Sequence, residues 1–433
     1  MTDQGTKVNT RALALDFLLE TAEKGGYSHV VMRGMLEKYQ YLDKKERAFL
    51  TRLSEGTLER MLELDAIIDK FSKVPVKKMK PVIRNLLRLS VYQLKYMDQI
   101  PDSAVCNEAV KLAQKKGFSS LKGFVNGVLR NIARELPNVK FEDLSIQYST
   151  PRWIVDQWIS EYGEEKAARM LADQYQEKPT TIRVNLSKIS REALTERLKK
   201  EGMQVQAVED VDCALAISGY DYLRALTSFR EGLFQVQDVS SMKAALAADP
   251  KEGDNCIDVC AAPGGKSLHL AELLHGTGMV EARDLTEYKV GLIQDNIDRT
   301  GAKNIQAVQM DATVLDEASV KKADVVLADL PCSGLGVLSK KTDLKYRMTP
   351  EQQEVIDECG RLATQYEREI NRAGDDEIMN RWQNENGVAI TNYEDMGIDS
   401  FKQAVDGVDE WYQKELEGQG YDDAKELIET FTK

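Results

Sequence analysis

The sequence predicts a multidomain protein: an all-α bundle, a small α+β module, an α/β domain on a parallel sheet, and an acidic, mostly helical tail. Three observations predict it. Apolar residues recur at helical spacing from Asn9 to Arg134, strand-like and helix-like stretches alternate from Cys256 to Asp329, and the charge balance breaks near residue 350. At 433 residues the chain is too long for one core. The expected domains are residues 1–140, 141–245, 246–350 and 351–433.

In the first of these, Leu15, Leu18, Leu19 and Ala22 share one helical face and Ile83, Leu86, Leu87, Val91 and Leu94 another. Breaks at Gly25-Gly26, Pro75, Pro101 and Gly117 divide the stretch into short helices, which suits a bundle. In the second, TTIRVNLSK (180–188) and MQVQAV (203–208) read as strands around a helix over 190–202, and EGLFQVQDVSSMKAALAA (231–248) as a strand running into a helix. In the third, CIDVC, MVEARD, NIQAVQMD and DVVLADLP alternate with helical segments, the pattern of a parallel sheet covered by helices. Such folds bind ligands at the carboxyl ends of their strands.

The net charge of −13 is unevenly spread. Residues 1–140 carry 25 Lys+Arg against 16 Asp+Glu, whereas residues 351–433 carry 8 against 22. The acidic tail therefore holds the whole deficit, and the basic helical front end suits docking on a nucleic acid. With no apolar run of about 18 residues and no apolar segment behind the N-terminal charges, neither a membrane span nor export is expected. Six scattered Cys form no disulfide framework, which suits free thiols in the cytoplasm.

The first α/β strand ends in Asp258-Val259-Cys260 and runs into Ala261-Ala262-Pro263-Gly264-Gly265-Lys266 before a helix opens. Glycines let a ligand approach the backbone, and the helix N-terminus supplies free N–H groups and partial positive charge. Asp284 follows Gly264 by twenty residues, at the end of the next strand, where a carboxylate can bind ribose hydroxyls. Together they point to a nucleoside cofactor. A phosphate-binding P-loop would need Gly five residues before Gly265, where Cys260 stands. Cys256, Cys260, His269 and His275 lack the spacing of a standard zinc site, so no metal is expected. Asp311 and Asp329 close the third and fourth strands and should share the rim with Asp284, although a lone strand-end Asp is often only a cap or turn residue. Beyond Asp329, Leu330-Pro331-Cys332-Ser333-Gly334 places a thiol in an irregular loop, as a reactive cysteine or a structural one.

DVCAAPGGKSLH and DLPCSGLGVLSKKTDLKY resemble the cofactor and Pro-Cys loops of the RsmB/Sun family of 16S ribosomal RNA cytosine-C5 methyltransferases. LRLSVYQLKYMDQIPDSAVCNEAV and GFVNGVLRNIARE resemble the NusB-like RNA-binding domain of these enzymes, and YSTPRWIVDQW, IRVNLS and GLFQVQDVSS their linking module. The resemblance covers about residues 9–350. It implies a Rossmann-like domain binding S-adenosylmethionine (SAM) through Cys260, Ala261, Ala262, Pro263, Gly264, Gly265, Lys266, Asp284, Asp311 and Asp329. Within that set Asp284 lies at the ribose, Asp311 near the adenine and Asp329 beside the methyl and target base. It further implies a monomer whose partner is 16S ribosomal RNA.

Thiolate chemistry suits that reaction. A thiolate adding to C6 of a pyrimidine makes C5 enamine-like; C5 takes the methyl, and a base removes the C5 proton to expel the thiolate. Cys332 matches the family's Pro-Cys cysteine, associated with product release, while the attacking thiol belongs to a later Thr-Cys motif. This sequence has no such motif. Cys359, the only later cysteine, lies in a polar helical segment. Cys332 as substitute nucleophile, or a catalytically silent chain, are the readings this leaves. The tail (PEQQEVIDECG, YEREINRAGDDE, NGVAITNYEDMGIDSFKQAV) resembles the C-terminal end of TRAP-type solute-binding proteins; a fusion, rearrangement or assembly error near residue 350 would account for both the charge break and the missing motif, and a genuine acidic accessory tail is the alternative. Only GVAITNY (387–393) offers a further strand, so an incomplete sheet with a bare edge and exposed apolar surface is expected.

Overall fold

The computed structural model describes residues 8–385 apart from positions 177, 210, 221, 339 and 340, together with residue 414. The strand expected at 387–393 lies outside the described residues. Residues 1–353 form one compact unit and residues 354–433 a second.

The first unit begins with a helical bundle: α1 (Thr10–Leu18), α2 (Ser28–Lys38), α3 (Lys44–Glu59), α4 (Met61–Phe71), α5 (Pro81–Tyr96), α6 (Asp102–Lys115) and α7 (Lys122–Glu135). Leu15, Phe17, Leu18, Leu50, Leu53, Ile67, Leu87, Val91 and Leu129 are buried in one continuous core, with Leu19, Ala22 and Leu94 packed against it. The breaks act as the sequence expects: α6 opens directly after Pro101 and closes before Gly117. Charged groups inside the bundle are paired, while the buried Ser54 hydroxyl has no partner among the described residues. Arg88 donates to both oxygens of Asp65 at 2.6 Å, and Lys95 meets Glu63 at 2.5 Å. Only Ser28 and Met32 of α2 are buried, so this helix turns a broad face to solvent.

Three short helices follow, α8 (Leu144–Gln147), α9 (Arg152–Tyr162) and α10 (Glu164–Asp173). The α+β module then contains β1 (Thr180–Val184), α11 (Arg191–Lys200), β2 (Gln204–Ala207), β3 (Ala214–Ser218), α12 (Thr227–Arg230) and β4 (Phe234–Val236). Its sheet is antiparallel in the order β2-β3-β1-β4. Strand β3 adds to the sequence-based reading. It is the sheet's inner partner for β2, yet its Ala-rich stretch has weak β-propensity and is held by burial.

The third part runs α13 (Val239–Ala248), β5 (Asn255–Asp258), α14 (Gly265–Leu273), β6 (Met279–Asp284), α15 (Glu287–Thr300), β7 (Ile305–Gln309) and β8 (Val325–Leu327). The four strands are parallel in the order β7-β6-β5-β8. Strands β5 and β6 are covered by Leu268, Ala271 and Ile293 of the two following helices. At the far side β8 pairs only with β5 among the described residues, and Val314, Leu315, Val320, Val326 and Leu330 are exposed around it. Whether a further strand covers this edge, as the sequence leaves open at 387–393, lies outside the described residues.

Arg183 of β1, 1% exposed, joins the two sheets: it donates to Gln237 at 2.8 Å and pairs with Glu272 of α14. From α15, Arg299 donates to the carbonyls of Phe229 and Phe234 at 2.9 and 3.1 Å and stacks on the Phe229 ring. The last element with described bounds is α16 (Pro350–Asn384), a polar helix that carries Cys359 on its exposed surface. No described helix is long and apolar enough to cross a membrane.

Candidate active site

The sheet presents two loops at the carboxyl ends of β5 and β8. The first leaves β5 after Asp258, a residue the sequence marks only as a strand end. It is 1% exposed; Ser267 donates to one carboxylate oxygen at 2.7 Å, while Oδ1 has no partner among the described residues. Burial pushes its pKa up, against the Ser267 hydrogen bond. The chain then turns through Gly264, whose φ of +98° is left-handed and whose absent Cβ would touch Ile293 at 3.4 Å. No side chain caps α14, so its first-turn N–H groups are left to a ligand.

Asp284 closes this loop from the neighbouring strand. It is 3% exposed and accepts from the Ala262 N–H at 3.1 Å, the Leu285 N–H at 2.8 Å and the Lys289 ammonium at 3.0 Å. Burial alone would raise its pKa; the donated bonds, Lys289 first, outweigh this and hold it below the usual carboxylate range. The acid therefore shapes the loop as well as facing the rim. Its backbone C=O accepts from the Met310 N–H at 3.0 Å, which brings the end of β7 alongside. Asp311 comes two residues beyond β7 and is exposed, its carboxylate turned onto the Thr313 N–H at 2.9 Å and hydroxyl at 2.7 Å. It lines a cavity of about 310 Å³ with Ile257, Val259, Val314 and Val326, beside rather than against the glycine loop.

Asp329 pairs with Lys266 at 2.5 Å, so the glycine loop touches the second loop directly. Cys332 is exposed three residues later. The loop bends at Gly334, where φ is +70° and a Cβ would lie 2.4 Å from Leu344 Cδ2. The four groups considered for zinc are dispersed: Cys256 is buried in β5 with its thiol pushed up by burial to about 11, and His269, driven down by burial to about 3, faces Cys213 at 3.8 Å. Burial also raises the Cys260 thiol, ahead of repulsion from Asp284. Among the described residues no group of three His, Cys, Asp or Glu could hold a metal ion.

Residues 343–346 end the DLPCSGLGVLSKKTDLKY stretch and Arg347 follows it; nothing in the sequence shows where they dock. Asp343 is buried against α2, accepting from the Ser28 N–H at 3.1 Å and hydroxyl at 2.7 Å. Arg347 donates to the Gly25 carbonyl at 2.9 Å and to Asp343 at 2.8 Å. The Tyr346 hydroxyl bonds the Glu59 and Ser149 carbonyls at 2.9 Å each, and Lys345, 2% exposed, donates to Tyr175 at 3.2 Å. A strap from the catalytic sheet is thus anchored in the helical bundle.

Comparison with known proteins matches these parts in order: the NusB family over residues 8–134, the ferredoxin-like domain of RsmF/B-like methyltransferases over 150–220, and the 16S rRNA methyltransferase RsmB/F family over 245–365. The probable ribosomal RNA small subunit methyltransferase B of Bacillus subtilis is 37% identical over 357 residues, covering 80% of this chain and 78% of that protein. The chain belongs to the ribosomal RNA small subunit methyltransferase B family. Its Synechocystis relative, also described as a probable methyltransferase B, is 32% identical over 79% of this chain and 78% of that one. The solved structure of PH0851, 24% identical, shares the fold with a TM-score of 0.64 over 82% of this chain and 81% of that one. The family is one of SAM-dependent ribosomal RNA methyltransferases, and its match continues to residue 365, inside α16.

Proposed function

We propose that the chain binds SAM on the Cys260–Lys266 loop and directs methylation of C5 of cytosine in 16S ribosomal RNA, as a cytoplasmic monomer with domains near 1–140, 141–245, 246–350 and 351–433. The observation that carries this reading is the meeting of the two loops through Lys266 and Asp329, with exposed Cys332 three residues beyond. The unpartnered Asp258 Oδ1, the left-handed Gly264 and the uncapped α14 fit a cofactor with a nucleoside and an amino-acid end. Bound there, the sulfonium would supply an electrophilic methyl group.

The chain's own residues do the rest. Asp284 holds Ala262 and, with Lys289 swung aside, offers a carboxylate to ribose hydroxyls. Asp311 lines the cavity of about 310 Å³ beside the glycine loop, and we place the adenine there. Asp329, released from Lys266, reaches the amino edge of the target base. Cys332 attacks C6 as a thiolate and leaves when the C5 proton is removed. A catalytically silent RNA- and SAM-binding protein is the second reading, favoured by the missing Thr-Cys motif and by the place of Cys359 on α16.

The test is incubation with unmethylated small-subunit RNA and methyl-labelled SAM, beside a Cys332→Ala variant and a calorimetric SAM titration. Label in cytosine C5 with the parent and none with the variant supports Cys332 as nucleophile. SAM binding without transfer supports the silent reading, and no SAM binding sinks both.

A further inference from the structure

Helix α2 is exposed along most of its length, yet it sits where the bundle meets the catalytic sheet. Tyr27, just before it, is 59% exposed, and the Arg347 guanidinium lies 4.4 Å from its ring centroid. One and a half turns along α2, Arg33 Nη1 lies 3.4 Å from the hydroxyl of Tyr288, which is 65% exposed. Tyr288 opens α15, four residues after Asp284, so it stands at the rim that carries the glycine loop. Two solvent-facing rings from different domains, each with a guanidinium beside it, therefore flank the path from the bundle to the rim. Their spacing is held by the strap: Asp343 fixes Ser28, and Arg347 fixes Gly25, on either side of Tyr27.

We propose that Tyr27, Arg33 and Tyr288 form a stacking platform that carries a single-stranded RNA segment from the helical bundle to the catalytic rim. The proposal rests on the RNA-directed reading above and names the surface and the strand form that reading leaves open. An exposed aromatic ring takes an unpaired base on its open face whatever the base, and the Arg33 guanidinium beside Tyr288 meets its phosphates, while Arg347, held by Asp343, backs the other face of Tyr27. A duplex keeps its bases stacked internally and gains little from such rings. The basic excess of residues 1–140 suits this partner over an acidic-surfaced protein segment only because phosphates alternate with stackable bases; the exposed Tyr27 and Tyr288 rings answer to the bases and Arg33, beside Tyr288, to the phosphates.

The test is fluorescence anisotropy of a labelled, unstructured 12-nucleotide RNA with the full chain at low salt, for the parent and for Tyr27→Ala, Tyr288→Ala, Tyr288→Phe and Arg33→Ala. Each Tyr→Ala change should weaken binding about fivefold to a hundredfold, the loss of one base stack, while Tyr288→Phe stays within about twofold. Arg33→Ala should weaken binding and flatten its salt dependence. Circular dichroism melts check that these surface variants fold. RNA binding by the parent that neither Tyr→Ala change weakens overturns the platform and leaves the RNA reading standing. An equal loss on a 12-base-pair duplex also overturns it, because the surface would then read phosphates alone. A folded parent that binds neither RNA overturns the RNA reading itself.

Discussion

The two loops at the rim are built in opposite ways. The glycine loop is enclosed by its own domain: Asp258 and Asp284 are almost fully buried, and Asp284 alone accepts from Ala262, Leu285 and Lys289. The Pro-Cys loop is open, with Leu330 and Cys332 exposed, and it follows β8, whose outer edge carries no strand among the described residues. Its order comes from afar, through the strap that ties Asp343 to Ser28 and Tyr346 to Glu59. The difference teaches that the shape of the glycine loop, the proposed cofactor cradle, is a property of the sheet, whereas presenting the thiol is a property of the assembled bundle and sheet. A chain whose family match ends at residue 365, past the Pro-Cys loop, can therefore keep the first and still lose the second.

The largest effect should come from removing the acid that encloses the glycine loop. Asp284→Ala leaves two part-buried backbone N–H groups without their acceptor, and stranding both costs about 2–3 kcal/mol together after allowance for their partial solvation and that of the half-exposed Lys289. Denaturant unfolding should show that loss, together with loss of the rise in melting temperature that SAM confers on the parent. An unaltered SAM-induced rise would break the comparison, because the loop would then be independent of its enclosing acid.

Gly334→Ala addresses the open loop. A side chain at φ +70° costs about 1–2 kcal/mol, and the new Cβ would press on Leu344 at the start of the strap. Stability should fall by that amount, and the rate at which Cys332 reacts with a thiol reagent should change while SAM binding persists. A changed SAM affinity with an unchanged thiol rate would reverse the assignment of the two loops.

Much of the first loop was legible because its information is local. Glycines before a helix and an acid twenty residues on describe a strand–loop–helix unit, and β5, β6 and β7 stand where the alternation puts them. What could not be read is which atoms the acid would hold, since that depends on the path of the loop between two strands. Asp311 shows the same limit: its place at a strand end was legible, its turn onto Thr313 was not. The strap was illegible for a stronger reason. Asp343, Lys345 and Arg347 look like surface residues, and only a partner 315 residues away in sequence makes Asp343 a buried anchor.

Two buried bases make the comparison visible in pH. His269, on the helix that follows the glycine loop, is pushed by burial to about 3 from 6.5, and Lys345, in the strap, by burial to about 7 from 10.5. In both cases the unfolded chain binds a proton that the folded chain refuses, so stability rises with pH between each folded and unfolded value. The slope is at most about 1.4 kcal/mol per pH unit for one group. Unfolding measured from pH 3 to 6.5 should steepen through His269 and flatten in His269→Leu. From pH 7 to 10 the rise should come from Lys345, which faces the buried Glu59 carboxyl, and should flatten in Lys345→Met. A Lys345→Met variant with the parent's slope in that range would mean the strap opens to water.

The smallest effect on stability is expected at the residue proposed as the nucleophile. Cys332 is exposed and makes no core contact, so Cys332→Ala should shift unfolding by no more than about 0.5 kcal/mol. Against that silence its thiol should be among the fast-reacting ones: in a Cys359→Ser background, native protein should label rapidly at Cys332 while Cys106, Cys213 and Cys256, buried in their cores, stay unlabelled until unfolding. Ser28→Ala, which takes a hydroxyl donor from the strap anchor 300 residues before the thiol, should then alter that labelling rate without touching SAM affinity. If the rate does not move, the Pro-Cys loop holds its place without the bundle, and the strap is a structural tie alone.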